Sequence, residues 1–341
     1  MELNNSAFIK ACYGRNDGTI PIWIMRQAGR YLPEYLEVRK QVSFTELCHS
    51  PDLITEVVRQ PIARFGLDAA ILFSDILTML DPMGMKFDFP DGGPRIAEPI
   101  STPDDVDRLH DFDIGDKLSF VLEGIRKIKQ TLPETPLIGF VGSPFTLSCY
   151  LIEGKGSKNF DKAKKFLHQY PDAAQKLSDL LSDVIARYLT AQIEAGADAV
   201  QVFGSWDGIL SHDDFVRWSA APINRIFDRL QSLKVPRILF VNNVSPYLDI
   251  INDMNCEVVG VDYRANLATV IKALDGKSVQ GNLDPSVLFG TPQQVVSSAK
   301  KILDSVPNHN RLIFNLGHGI QPKTPIESVT ALVEAVHAYR G

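Results

Sequence analysis

Two arginines set four residues apart are the first sign of chemistry in this sequence. Arg26 and Arg30 enclose Gln27-Ala28-Gly29, with Arg39 and Lys40 further on. Guanidinium forks suit bidentate recognition of carboxylates or phosphates, and Gly29 allows a ligand close to the backbone. The plain alternative is a solvated face with internal ion pairs, since Glu34 and Glu37 share the stretch. Asp75 lies between the apolar run Ala69–Phe73 and Ile76-Leu77, a setting that predicts partial burial. A desolvated carboxylate there suits a cation forming on a substrate, or a set of ring N–H donors. Capping a helix or pairing with an arginine are its structural alternatives. His318 stands between Gly317 and Gly319, where function and structure weigh evenly. Tyr150, one or two turns past Ser143-Pro144, reaches the same region or simply packs. Ser205 lacks a G-x-S-x-G setting and reads as a hydrogen-bond donor, not a nucleophile.

Other chemistries are disfavoured. Cys12, Cys48, Cys149 and Cys256 are scattered, with no C-x-x-C pair and no His-x-Cys element, so a zinc site or disulfide framework is not expected. Reduced thiols in a cytoplasmic protein fit this usage. Histidines 49, 110, 168, 212, 309 and 337 show no ligand-like spacing. Thirty-five basic against 41 acidic residues give a net charge of -6, which argues against a general nucleic-acid surface. No run approaches the roughly 18 apolar residues of a membrane span, and no signal peptide is expected at the N-terminus.

What positions these groups is an alternation of strands and helices. Strand-length apolar runs recur at Ile22–Met25, Ala69–Phe73, Leu137–Val141, Ala199–Phe203, Ile238–Val241, Val258–Val261, Ser278–Gln280 and Leu312–Phe314. The seventh is the weakest, with Val279 its single apolar residue. Continuous rather than alternating apolarity suits strands buried on both faces. Helical stripes run through Leu177, Leu180, Leu181, Val184, Ile185 and Leu189, and through Ile326, Val329, Leu332, Val333 and Val336. Hydroxyl–proline pairs at Ser50-Pro51, Thr102-Pro103, Ser143-Pro144, Ser245-Pro246, Thr291-Pro292 and Thr324-Pro325 predict helix starts. Thr291-x-x-Gln294 and Thr324-x-x-Glu327 also fit capping boxes. Asp81–Glu98 reads as an excursion or hairpin, and Glu153–Lys158 as a mobile loop.

Eight βα units suggest an α/β fold, either a closed barrel or an open doubly wound sheet. No G-x-G-x-x-G follows the first run, and no linker divides residues 1–341. A single (β/α)8 TIM barrel is the expectation, with its cleft at the C-terminal ends of the strands. The polar exits from the strands then line one mouth: Arg26 to Tyr31, Ser74-Asp75, Gly142-Ser143-Pro144, Gly204-Ser205-Trp206, Asn242-Asn243, Asp262-Tyr263-Arg264, Asn282-Leu283-Asp284 and Asn315 to Gly319.

These residues carry a resemblance. The stretch from Pro21 to Tyr35 is similar to the N-terminal signature of the uroporphyrinogen decarboxylases. Phe73 to Leu77, Gly142 to Leu147 leading to Tyr150, Gln201 to Trp206, Gly281 to Pro285 and Asn315 to Gly319 agree in order. The resemblance spans about residues 6 to 340. It implies a (β/α)8 barrel, usually a cytoplasmic homodimer. It also implies removal of carbon dioxide from the four acetates of uroporphyrinogen III, giving coproporphyrinogen III without metal or organic cofactor. Arg26, Gln27, Ala28, Gly29, Arg30 and Arg39 would then bind substrate carboxylates. Asp75 would take the pyrrole N–H groups, and Tyr150, Ser205 and His318 would touch the substrate periphery. Asp75, Arg26 and Tyr150 are the catalytic candidates.

Three positions depart from that pattern: Gly204, where an acidic residue is usual, Asp207, where glycine is usual, and Tyr263-Arg264, where Trp commonly follows the aspartate. All are expected at the cleft's rim. Two rivals share such a cleft: a zinc-dependent corrinoid methyltransferase branch, disfavoured by the missing His-x-Cys ligands, and a tetrapyrrole-binding protein without turnover.

Overall fold

The computed structural model describes residues 5–89 and 93–340. Its strands are β1 (Ala70–Ile71), β2 (Phe87–Asp88), β3 (Arg95–Ile96), β4 (Leu137–Gly142), β5 (Ala199–Gly204), β6 (Arg237–Val241), β7 (Val258–Val261), β8 (Ser278–Leu283) and β9 (Leu312–Leu316). Seven of them form one parallel sheet in the order β1-β4-β5-β6-β7-β8-β9. The sheet strands are buried along their whole length, as their unbroken apolar runs require. β2 and β3 make a separate antiparallel pair, so the Asp81–Glu98 stretch is the expected hairpin; Pro90, Asp91 and Gly92 within it lie outside the described residues.

The first run departs from expectation. Ile22–Met25 is not a strand; it touches the sheet through one parallel bridge, Ile22 to Phe314. The reason is local. Pro21 offers no N–H, and side chains capture the later donors: Ile24 N–H bonds Gln27 Oε1 at 3.1 Å and Met25 N–H bonds Asn315 Oδ1 at 3.0 Å. An extended segment still fills the eighth position. Phe314 N–H donates to the Pro21 carbonyl at 2.8 Å on one side. On the other, Asp68 closes the seam, accepting Ile22 N–H at 2.8 Å and donating its own N–H to the Ile22 carbonyl at 2.9 Å.

β8 was weak in sequence for an instructive reason. Its Gln280 is 2% exposed, yet it accepts from Trp23 Nε1 at 3.1 Å and donates to Gln201 Oε1 at 2.7 Å. A buried polar layer thus replaces apolar packing there, and it is tolerated because its members bond one another.

Three of the six hydroxyl–proline starts cap an α-helix as expected, and Thr102 precedes a short 3-10 turn, Pro103–Arg108. Ser50, Ser143 and Thr291 accept N–H bonds from the first turn, Thr291 with Gln294 as a complete capping box. Thr324 does not cap: the helix Ile326–Ala338 begins two residues later, and the Thr324 hydroxyl is buried without a partner. Ser245 sits inside the short turn Ser245–Tyr247 instead of before it. The Glu153–Lys158 stretch is tied down at its start, where Ile96 N–H bonds the Gly154 carbonyl at 2.8 Å and Lys155 bridges Arg95. The four cysteines are free and buried, and no helix of the described residues is long and apolar enough to cross a membrane.

Candidate active site

The Arg26 loop leaves the first stave by a sharp turn. Arg26 itself has φ +65°, the left-handed region that non-glycine residues rarely occupy. Its side chain runs across Gly319, where a β-carbon would sit 2.5 Å from Arg26 Cδ. Ile320 N–H bonds the Met25 carbonyl at 2.9 Å, which fixes the two loops side by side. Gly29 is required by the Arg26 carbonyl, 2.9 Å from where its β-carbon would lie. The N–H groups of Ala28, Gly29 and Arg30 make no hydrogen bond among the described residues, leaving three donors along one turn.

Asp75 follows β1. Its Oδ1 accepts Leu77 N–H at 2.8 Å, and Thr78 Oγ1 donates to its carbonyl at 2.8 Å. This is a tight turn that aims the carboxylate, not a buried ion pair: Asp75 forms no salt bridge among the described residues. Burial lifts its carboxyl from the ordinary 3.8 to about 6, against the pull of the Leu77 N–H and of Arg26.

Tyr150 lies near the end of the helix Pro144–Glu153, half-buried, with its ring 6.3 Å from those of Trp206 and Phe160. Burial raises its hydroxyl pKa, and the charges of Asp75 and Arg26 both reach it. His318 is half-buried with its ring 6.4 Å from Phe240. Burial lowers its pKa, and Arg26 and Arg264 lower it further, so the imidazole is neutral at pH 7. The Arg26 charge is therefore felt at Asp75, Tyr150 and His318 together. These groups come from four distant stretches of chain. Ser205, half-buried just past β5, makes no side-chain hydrogen bond among the described residues.

Other candidates are placed differently. Gln27 is 1% exposed and its amide is engaged at both ends, accepting from Ile24 N–H and donating to the Ala69 carbonyl at 3.2 Å. It shapes the loop from behind. Arg30 is exposed, and Arg39 donates to the Val42 carbonyl while stacking over Phe44 at 5.9 Å. Phe44 in turn packs against Phe73, two residues before Asp75, with ring centres 6.0 Å apart. The internal ion pairing expected of the basic cluster is confined to its rim: Lys40 pairs with Glu37 at 2.6 Å, and Glu34 pairs with Arg64. Arg26, Arg30 and Arg39 form no salt bridge among the described residues.

Two of the departures expected at the rim lie below it: Gly204 is buried as the last residue of β5. Asp207 is not at the rim; it is wholly buried, accepting from Ser143, Thr146 and Ser219 hydroxyls. Sequence gave no sign of this, because its partners come from three separate segments. Trp206, read in sequence as part of the β5 exit, packs beside Tyr150, and Asp262, read as part of the β7 exit, is buried under the Arg264 loop. Among the described residues, no group of three or more His, Cys, Asp or Glu side chains is placed to hold a metal ion.

The family model described as uroporphyrinogen decarboxylase (URO-D) matches residues 3–339. The chain belongs to the uroporphyrinogen decarboxylase family. The curated uroporphyrinogen decarboxylase of Citrifermentans bemidjiense is 43% identical over 334 residues, covering 98% of each chain. That of Dechloromonas aromatica is 43% identical over 344 residues, covering 98% of this chain and 97% of its own. Among solved structures, a methyltransferase from Methanosarcina mazei superposes with a TM-score of 0.80 at 22% identity, covering 97% of both chains. A B12-independent methionine synthase from Shewanella sp. W3-18-1 gives 0.58 at 13%, covering 94% of this chain and 96% of its own. These two establish the barrel-like fold shared with the family and nothing of its chemistry.

Proposed function

We propose that Asp75, Arg26 and Tyr150 carry the uroporphyrinogen decarboxylation of tetrapyrrole biosynthesis that family membership assigns to this chain. The observation behind the residue roles is the unpaired, desolvated Asp75 carboxylate within reach of the Arg26 charge. The substrate is uroporphyrinogen III and the product coproporphyrinogen III, by loss of four acetate carboxylates.

The chemistry explains the residue types. An acetate on a pyrrole cannot simply lose carbon dioxide, since the electron pair has no acceptor. Protonating the ring carbon first makes an iminium-like cation. The breaking C–C bond then supplies its pair to the ring, leaving an exocyclic methylene. A second proton converts that methylene to methyl, and loss of the ring-carbon proton restores the pyrrole. The pyrrole is its own electron sink, so no metal or organic cofactor is needed. Asp75, ionised above about pH 6, accepts pyrrole N–H groups and stabilises the cation. Arg26 and the free N–H groups of Ala28, Gly29 and Arg30 hold carboxylates, with Arg30 and Arg39 further out. Arginine stays protonated, so Arg26 suits orienting the scissile carboxylate better than donating the proton. Tyr150, Ser205 and neutral His318 offer hydrogen bonds to the substrate's edge.

A single barrel domain over 1–341, a cytoplasmic location and a homodimer complete the reading, each supported by the family resemblance. Anaerobic incubation with uroporphyrinogen III, then separation of oxidised porphyrins by carboxylate number, tests the activity. Products with seven, six, five and four carboxylates are expected without added metal. Unchanged starting material beside a working control would leave a tetrapyrrole-binding protein. Sedimentation velocity at micromolar concentration tests the dimer.

A further inference from the structure

One buried acid takes no part in the mechanism above. Asp207 has 0% exposure and forms no salt bridge among the described residues. Its Oδ1 accepts from Ser143 Oγ at 2.6 Å and Thr146 Oγ1 at 2.8 Å, and its Oδ2 lies 2.5 Å from Ser219 Oγ. As a carboxylate oxygen Oδ1 only accepts, which fixes the direction of the first two bonds. Ser143 Oγ already accepts Thr146 N–H at 3.0 Å, and Thr146 Oγ1 accepts Trp206 N–H at 3.2 Å. Each hydroxyl therefore donates its proton to Oδ1, and the two are wired through one oxygen.

The wiring joins two walls of the cleft. Ser143 caps the helix Pro144–Glu153, which carries Tyr150. Trp206 follows Ser205 at the end of β5 and packs its ring 6.3 Å from Tyr150. We propose that Asp207 is a positioning residue that sets Tyr150 and the Ser205-Trp206 turn at a fixed separation; the proposal rests on the decarboxylase reading of this cleft.

The neighbouring glycine belongs to the same device. A β-carbon on Gly204 would lie 3.0 Å from Asp207 Cγ and 3.1 Å from its Oδ2. The carboxylate of residue 207 thus occupies the space into which a side chain at 204 would project. Once residue 207 gives up its carboxylate, the close neighbour left to a β-carbon at 204 is the Phe240 carbonyl at 3.1 Å, and a carboxylate from 204 projects into the space beside the same hydroxyls. Gly204 and Asp207 form an exchangeable pair: one buried acid, two possible points of attachment.

The test compares the wild type, Asp207→Gly, the exchange variant Gly204→Asp/Asp207→Gly, and Thr146→Val. The last keeps side-chain volume and removes the oxygen that links Asp207 to Trp206 N–H, leaving the Ser143 and Ser219 bonds to the carboxylate. Steady-state kcat and KM for uroporphyrinogen are read together with intrinsic tryptophan emission, which needs no substrate. Loss of positioning lowers kcat about 10- to 100-fold in Asp207→Gly, with a smaller change in KM. Thr146→Val shifts the emission to the red and lowers kcat in the same sense. The exchange variant returns both kcat and emission towards wild type, which a role in stability alone does not require. An exchange variant no better than Asp207→Gly overturns the proposal, as does Thr146→Val with wild-type kcat and emission. Should Asp207→Gly fail to fold, a folded exchange variant with near wild-type kcat supports the pair, and one that also fails to fold overturns it. A wild type without turnover would sink the decarboxylase reading instead, and emission unchanged across the series would then sink the positioning role separately.

Discussion

Gly319 leaves open the space that Arg26 fills: a β-carbon there would stand 2.5 Å from Arg26 Cδ and 2.9 Å from its Nε. The obstructed atoms belong to an exposed, flexible side chain, so an alanine at 319 can be accommodated by moving Arg26 aside. Gly319→Ala should fold with near wild-type stability and lose about tenfold or more in kcat/KM. Gly18→Ala, where a β-carbon meets nothing within 4 Å, is the control. Wild-type kinetics in Gly319→Ala would remove Arg26 from the catalytic set.

The companion glycine fails differently. A β-carbon on Gly317 would lie 2.2 Å from the Tyr263 backbone nitrogen and 2.6 Å from its Cα. Backbone cannot step aside as a side chain does. Gly317→Ala should lower the thermal midpoint clearly, with a loss of about 2 kcal/mol or more, where Gly319→Ala does not. Equal stability of the two alanine variants would contradict these approaches.

Asp75 trades stability for chemistry. Its folded carboxyl titrates at about 6 against an ordinary 3.8, so its contribution to stability is full below the lower value and lost as pH rises through the upper. At pH 8 the wild type carries the whole penalty of a desolvated charge, at most about 3 kcal/mol. Asp75→Asn should therefore raise the thermal midpoint at pH 8, by an amount that vanishes near pH 3.5. The same variant should lose about 10²–10³ in kcat. In the wild type, kcat/KM should fall on the acid side with a midpoint near pH 6. Turnover in Asp75→Asn close to wild type would end the stabiliser role.

The seam of the barrel has a pH dependence of its own. His337 Nε2 lies 2.8 Å from Asp68 Oδ2, the oxygen that also takes Ile22 N–H. This hydrogen bond raises the His337 pKa above its ordinary 6.5, despite partial burial. A raised folded pKa gives stability that is full below the unfolded value and lost as pH rises through the folded one. His337→Gln should thus lower the thermal midpoint more at pH 5.5 than at pH 8.5. An equal loss at both pH values would show that the charge on His337 plays no part.

Much of the fold was legible because it depends on local pattern. Seven of the eight runs became strands, six of them where apolar continuity placed them, since strands covered by helices on one side and core on the other have no polar face to show. The first run was misread as a strand because apolar content cannot reveal that Gln27 and Asn315 side chains intercept its N–H groups. β8 was undervalued for the opposite reason: its glutamine looks solvent-facing until Trp23 and Gln201 are seen beside it.

The sequence by itself determined the alternating elements, the polar strand exits and the family signature, all of which are properties of neighbours along the chain. Tertiary structure alone decided which exits share a charge environment, that Gln27 turns inward and that Asp207 lies beneath the cleft instead of at its edge. The physical reason is distance in sequence. Asp207 gathers hydroxyls 64 and 61 residues before it and 12 after it. Its burial is permitted only because all of them arrive together.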